Sequence, residues 1–112
     1  MKRLHEIIEV PRTVSEAFRY VADFGRIDEW DPGVVSSEKL TAGAIGVGSE
    51  FRVEVRSGLG STKMRYTVTH YEPPNRIVLE GEGDSIRAVD EIRFSATDNG
   101  TLIDYTADIT LG

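Results

Sequence analysis

TVSEAFRYVADFGRIDEWDPGV, residues 13–34, is the stretch that decides the fold. Thr13 stands where a helix N-cap belongs and Glu16 follows three residues later, the spacing of a capping box in which each side chain satisfies an orphan amide of the first turn. A helix is therefore predicted to start near Val14. Val14, Ala17, Phe18 and Val21 recur at the i, i+3, i+4 and i+7 positions of one helical face, and Gly25 ends the run. A second, short helical turn is predicted from Ile27 to Trp30, broken by Asp31, Pro32 and Gly33.

Outside this stretch the apolar residues recur with period two. Leu4, Ile8 and Val10 share one face of a strand before the helix; Phe51, Val53 and Val55 alternate with Arg52, Glu54 and Arg56 after it. Met64, Tyr66 and Val68 continue the pattern, as do Ile77 with Leu79, Ile92 with Phe94, and Ile103, Tyr105, Ala107, Ile109 and Leu111. A weaker strand covers Val34 to Leu40, which makes about seven strands and two helices. Asn99-Gly100 is the preferred pair of a two-residue type I′ turn. That turn would set Asp98 opposite Thr101, Ala96 opposite Ile103, Phe94 opposite Tyr105, Ile92 opposite Ala107 and Asp90 opposite Ile109, all on one side of a sheet.

The 112 residues suit a single domain, 1–112, with enough apolar surface for one core. No apolar run approaches the roughly 20 residues of a membrane-spanning helix, and no secretory leader follows Met1, so a soluble cytoplasmic protein is expected. Thirteen basic against nineteen acidic residues give a net charge of −6, which argues against a nucleic-acid or anionic-membrane partner. The absence of cysteine excludes thiol nucleophiles and thiolate metal sites, and two histidines are too few for a dedicated transition-metal centre. No cofactor is expected: Gly43, Gly46 and Gly48 have the wrong spacing for a dinucleotide loop and precede a strand.

Three polar residues fall on apolar strand faces: Glu6, His70 and Asp90. Buried, each needs a partner or a shifted pKa; at a strand end or beside a bulge, each faces solvent. Tyr66 and Tyr105 would bring hydroxyls to the same side, either to a ligand or to the backbone. Trp30 would either close the mouth of a pocket with its indole or pack its turn onto the sheet. Arg52, Arg56, Lys63 and Arg65, interleaved with Glu50 and Glu54, read as a solvated outer face with cross-strand ion pairs.

The order strand, two short helices, six antiparallel strands resembles the α+β helix-grip fold of the START and pollen-allergen superfamily. The stretches FRYVADF (18–24) and EWDPGV (29–34) are similar to those of polyketide cyclase/dehydrase-like SRPBCC proteins, as are GVGSEF (46–51), YEPPNR (71–76) and the last strand, so the likeness runs from about residue 8 to 112. That resemblance implies a curved sheet around a cavity for an apolar or aromatic small molecule, lipid- or polyketide-like, lined by Phe18, Val21, Trp30, Phe51, Val53, Met64, Tyr66, Leu79, Ile92, Phe94 and Tyr105. It implies, as an alternative, a cyclase or dehydratase with a donor for an enolate and a group to move a proton. Tyr66, His70, Asp90 and Tyr105 are the candidates for those roles. A protein-interaction domain on the same scaffold is the third reading. Members of the family usually continue past the last strand into a long helix lying across the concave face. With the sequence ending at Gly112, that face is expected to be covered by a helix outside these residues or by a second copy in a homo-oligomer.

Overall fold

The capping box forms as predicted: Glu16 N–H donates to Thr13 Oγ1 at 3.2 Å, and Thr13 N–H donates to Glu16 Oε1 at 3.1 Å. In the computed structural model, which describes residues 1–112, helix α1 runs Val14–Val21 and buries Ala17 and Phe18. The second helical segment is a 3₁₀ helix, Phe24–Glu29, one turn earlier than expected because Asp23 caps it by accepting from Gly25 N–H at 2.9 Å.

Seven strands follow the period-two pattern: β1 Lys2–Val10, β2 Val34–Lys39, β3 Glu50–Ser57, β4 Gly60–Glu72, β5 Arg76–Gly83, β6 Ile86–Thr97 and β7 Gly100–Leu111. They form one curved antiparallel sheet in the order β1-β7-β6-β5-β4-β3-β2, so the first strand pairs with the last and every other neighbour is a hairpin or short connection. The inner face carries Phe51, Val53, Met64, Tyr66, Val68, Ile77, Leu79, Ile92, Phe94 and Ile103, and the helices close over it. Phe18 stacks its edge on Phe94 at 5.1 Å between ring centroids, and Phe24 sits 5.3 Å from Tyr66. Ser37 fastens the 3₁₀ helix to β2, donating to the Gly25 carbonyl at 3.1 Å and accepting from Asp28 N–H at 3.3 Å.

The outer face is a lattice of ion pairs, among them Arg52–Glu38 at 2.9 Å, Arg76–Glu91 at 2.7 Å and Arg87–Glu82 at 2.9 Å. Arg65 bonds Glu50, the kind of cross-strand pair expected there.

The β6–β7 hairpin departs from expectation. Thr97 pairs with Gly100, so the turn residues are Asp98 and Asn99; Ala96 faces Thr101, Phe94 faces Ile103 and Ile92 faces Tyr105. Asn99 keeps negative φ, and Gly100 instead lies where β1 leaves the sheet: a Cβ there would stand 2.0 Å from the Val10 carbonyl oxygen. The glycine serves a close backbone approach rather than the turn. Because the pairing moves by two residues, Phe94 and Tyr105 remain on the same, inner side.

Candidate functional site

Strand β4 positions the first candidates and removes one. Its pairing with β5 runs Tyr66–Gly81 and Val68–Leu79, then shifts so that His70 faces Val78 and Tyr71 faces Ile77. The extra residue, Thr69, is a β-bulge that reverses the alternation, so His70 points to the exposed outer face. His70 is therefore not an interior group, and its candidacy as a proton carrier falls. Tyr66, before the bulge, stays inside with 7% exposure, its ring resting where a Cβ on Gly81 would come within 2.6 Å. Burial raises its hydroxyl well above the ordinary tyrosine range, so it stays protonated.

Strands β6 and β7 supply the centre of the site. Asp90 is opposite Ala107, which sets Tyr105 diagonally across, and the Tyr105 hydroxyl donates to Asp90 Oδ2. Asp90 is 4% exposed, and its other oxygen, Oδ1, has no hydrogen-bond partner in the protein. Burial pushes its carboxyl from 3.8 to about 6; the Tyr105 hydrogen bond opposes the rise and the charge of Asp31 adds to it. Tyr105 is raised far above its usual value by burial and by the adjacent carboxylate. Trp30, just past the 3₁₀ helix, sets its ring edge-on to Tyr105 at 6.1 Å, and its Nε1–H is buried without a partner. Asp31, which follows Trp30 where the helical turn breaks, accepts from Gly33 N–H at 2.8 Å.

Of the other expected lining residues, Phe18, Phe51, Val53, Met64, Leu79, Ile92 and Phe94 are buried in the common core, and Val21 packs partly buried against it. Their side chains pack against one another on the inner face. A polar hollow of about 760 Å³ lies on the opposite face, among Arg52, Lys63, Arg65 and Glu82, and a smaller one of about 240 Å³ lies between α1 and Pro73-Pro74. Neither touches Trp30, Asp90 or Tyr105. What is open is the other flank of the inner face. Leu4 and Ile8 of β1 share a side with Tyr105 and Ile103, yet are 46% and 57% exposed, and Leu111 is 75% exposed. Glu6, opposite Tyr105, is exposed in the same strip. Asp90, Tyr105 and Trp30 thus mark the border between packed core and uncovered apolar surface.

A curved antiparallel sheet gripping two short helices defines a START-like scaffold. The sequence model of the family described as polyketide cyclase/dehydrase and lipid transport matches residues 1–112, and the chain belongs to that family. No curated protein matches it in sequence. Solved structures share the fold at low identity. The Zhui aromatase/cyclase of a Streptomyces species is 15% identical with a TM-score of 0.80, the match covering 99% of this chain and 68% of that one. A START superfamily protein from Mycobacterium smegmatis is 18% identical with a TM-score of 0.82, covering 98% and 77%. A Thermus thermophilus protein is 17% identical with a TM-score of 0.84, covering 99% and 75%.

Proposed function

We propose that the chain binds an apolar or aromatic small molecule on its concave face, where the core meets the exposed strip of β1 and β7. One observation carries this reading: a buried carboxylate, Asp90, with one oxygen unpartnered, shares its sheet face with the exposed Leu4 and Ile8, one strand beyond β7. Apolar area with a few convergent polar groups is what a small-molecule site requires, and the chain's family includes cyclases and lipid carriers. Trp30 is the sole tryptophan and borders the site, so its emission reports occupancy. Titration with naphthalene-class ligands should change that emission saturably in the micromolar range. No saturable change with any of them would sink the proposal.

The raised carboxyl of Asp90 favours a second reading, proton-transfer catalysis of the cyclase or dehydratase type. Above about pH 6 Asp90 would accept a proton from the carbon beside a ligand carbonyl, while the Tyr66 hydroxyl, kept protonated by burial, donates to the enolate oxygen. Asp90→Asn separates the two: retained binding with abolished turnover makes the chain an enzyme, and the absence of any turnover in the parent leaves binding alone.

A further inference from the structure

We infer that β1 is a docking edge for a second copy of this chain: the two first strands pair antiparallel about a twofold axis at Ile7 and join two sheets into one. The inference goes beyond the binding reading above and stands apart from it.

The two edges of the sheet differ in construction. β2 is six residues long, its pairing slips between Val34 and Ser36, Pro32 and Gly33 precede it, and the 3₁₀ helix is fastened to it through Ser37. Short, bulged and covered strands are how folded proteins keep an edge from adding further strands. β1 has none of these devices. It runs nine residues in unbroken register with β7, and every residue from Lys2 to Glu9 is exposed. One side of its backbone is bonded to β7, while the row of N–H and C=O groups on the other side meets no strand. Its apolar residues are also bare on both faces of the sheet: Leu4 and Ile8 inside, and Ile7, 57% exposed, outside. A ligand on the concave face would cover Leu4 and Ile8 and leave Ile7 and the edge open. A partner strand at the edge answers all three observations.

The strand is complementary to itself. Residues that stand opposite in an antiparallel pair share a face, so a copy related by a twofold axis normal to the sheet keeps the inner sides together and is centred on one residue. Centred on Glu6, the pair would set two carboxylates against each other at the axis. Centred on His5, it would set Glu6 against Leu4 and Arg3 against Ile7. Centred on Ile7, it sets Ile7 against Ile7 on the outer face, His5 against Glu9, and Leu4 against Val10 on the inner face, with the two Ile8 side chains as diagonal neighbours. Apolar and donor–acceptor pairs stabilise neighbouring strands, whereas like charges directly opposite weaken them, and that selects the register at Ile7. Glu6, opposite Ile8, is the one residue that gains nothing. The pairs Arg3–Asp108 and His5–Asp104 lie on the β7 side within each copy and are left intact.

The chain has no cysteine, so one introduced at position 7 reports on this contact alone. Opposed residues of antiparallel strands stand about 4.5–5.5 Å apart at Cα, a separation that a disulfide spans. Under mild oxidation Ile7→Cys should form a disulfide-linked dimer at least about tenfold faster than Leu59→Cys, whose more exposed thiol would sit at the tip of the β3–β4 hairpin. In sedimentation equilibrium the parent chain should reach a dimer at micromolar concentration. Ile7→Glu, which puts two carboxylates at the axis, should sediment as a monomer with the parent's circular dichroism. Should that variant lose its fold, the crosslinking comparison decides alone. A parent that stays monomeric up to millimolar concentration would overturn the inference, as would a dimer that survives Ile7→Glu or crosslinks no faster through position 7 than through position 59.

Discussion

Burial lifts the carboxyl of Asp90 from 3.8 to about 6, and stability follows pH accordingly. Below about pH 4 the group is neutral whether the chain is folded or not, and it imposes no penalty. As pH climbs through about 6 the folded state must hold a buried charge that the unfolded chain holds in water, a difference of about 3 kcal/mol. The groups facing it do little to relieve this, since Asp31 opposes ionisation and Tyr66 and Tyr105 are neutral; only the Tyr105 hydrogen bond helps. Asp90→Asn should therefore stabilise the protein by about 1–3 kcal/mol in urea unfolding near pH 7, an advantage that disappears near pH 4. An equal effect at both pH values would refute the assignment of a buried, strained carboxylate. Tyr105→Phe removes the hydrogen bond that holds the carboxyl down, so the carboxyl resonance of Asp90 should titrate at higher pH, with a stability loss of about 1–3 kcal/mol.

The elements vary in how far their cause lies from them along the chain. Thr13→Ala should cost about 1 kcal/mol of thermodynamic stability, because the capping box of α1 is made by residues three apart and nothing else satisfies that amide. Gly100→Ala should cost more, at least about 3 kcal/mol by denaturant unfolding, because its Cβ would collide with backbone of Val10 and Pro11 rather than with a side chain that can turn away. The same contrast separates what the sequence disclosed from what it hid. Helix α1 and all seven strands were legible, since their signals lie within a few neighbouring residues. The β6–β7 register was not: Gly100 is fixed by Val10, some ninety positions distant, and a local turn rule assigns it to the wrong role. That two-residue error left Asp90 and Tyr105 among the candidates but concealed their contact, since it sets Asp90 opposite Ile109 and away from Tyr105, whereas the observed pairing makes them diagonal neighbours. For His70 the sequence left two placements open, and the bulge at Thr69, which reverses the side on which every later residue of β4 falls, decides for the solvent-facing one.

Across the whole molecule, the helices close one half of the concave face and leave the other bare. α1 packs on β6 and β7 and the 3₁₀ helix packs on β2 and β3, and neither packs extensively on β1, whose main neighbour is β7. Leu4, Ile8 and Leu111, with Glu6 between the first two, form a largely apolar strip of a kind that folded chains usually cover. The 112-residue chain should accordingly either bind an anilinonaphthalene sulfonate dye or sediment as an oligomer, and Ile8→Glu should diminish whichever occurs. A dye-silent monomer would show the strip to be tolerated as it stands.

Pairing of the first strand with the last has a consequence for how the chain reaches this structure. Lys2 lies opposite Ile109, so β1 must wait for the final strand of the sequence before it has a partner, and closing that loop is the most entropically demanding step. The same register brings the two chain ends side by side. Linking residue 112 to residue 1 through a few glycines and opening the chain at exposed Leu59, in the β3–β4 turn, would turn this longest-range contact into a hairpin. Such a circular permutant should keep the sheet order and refold faster than the parent in stopped-flow dilution from urea.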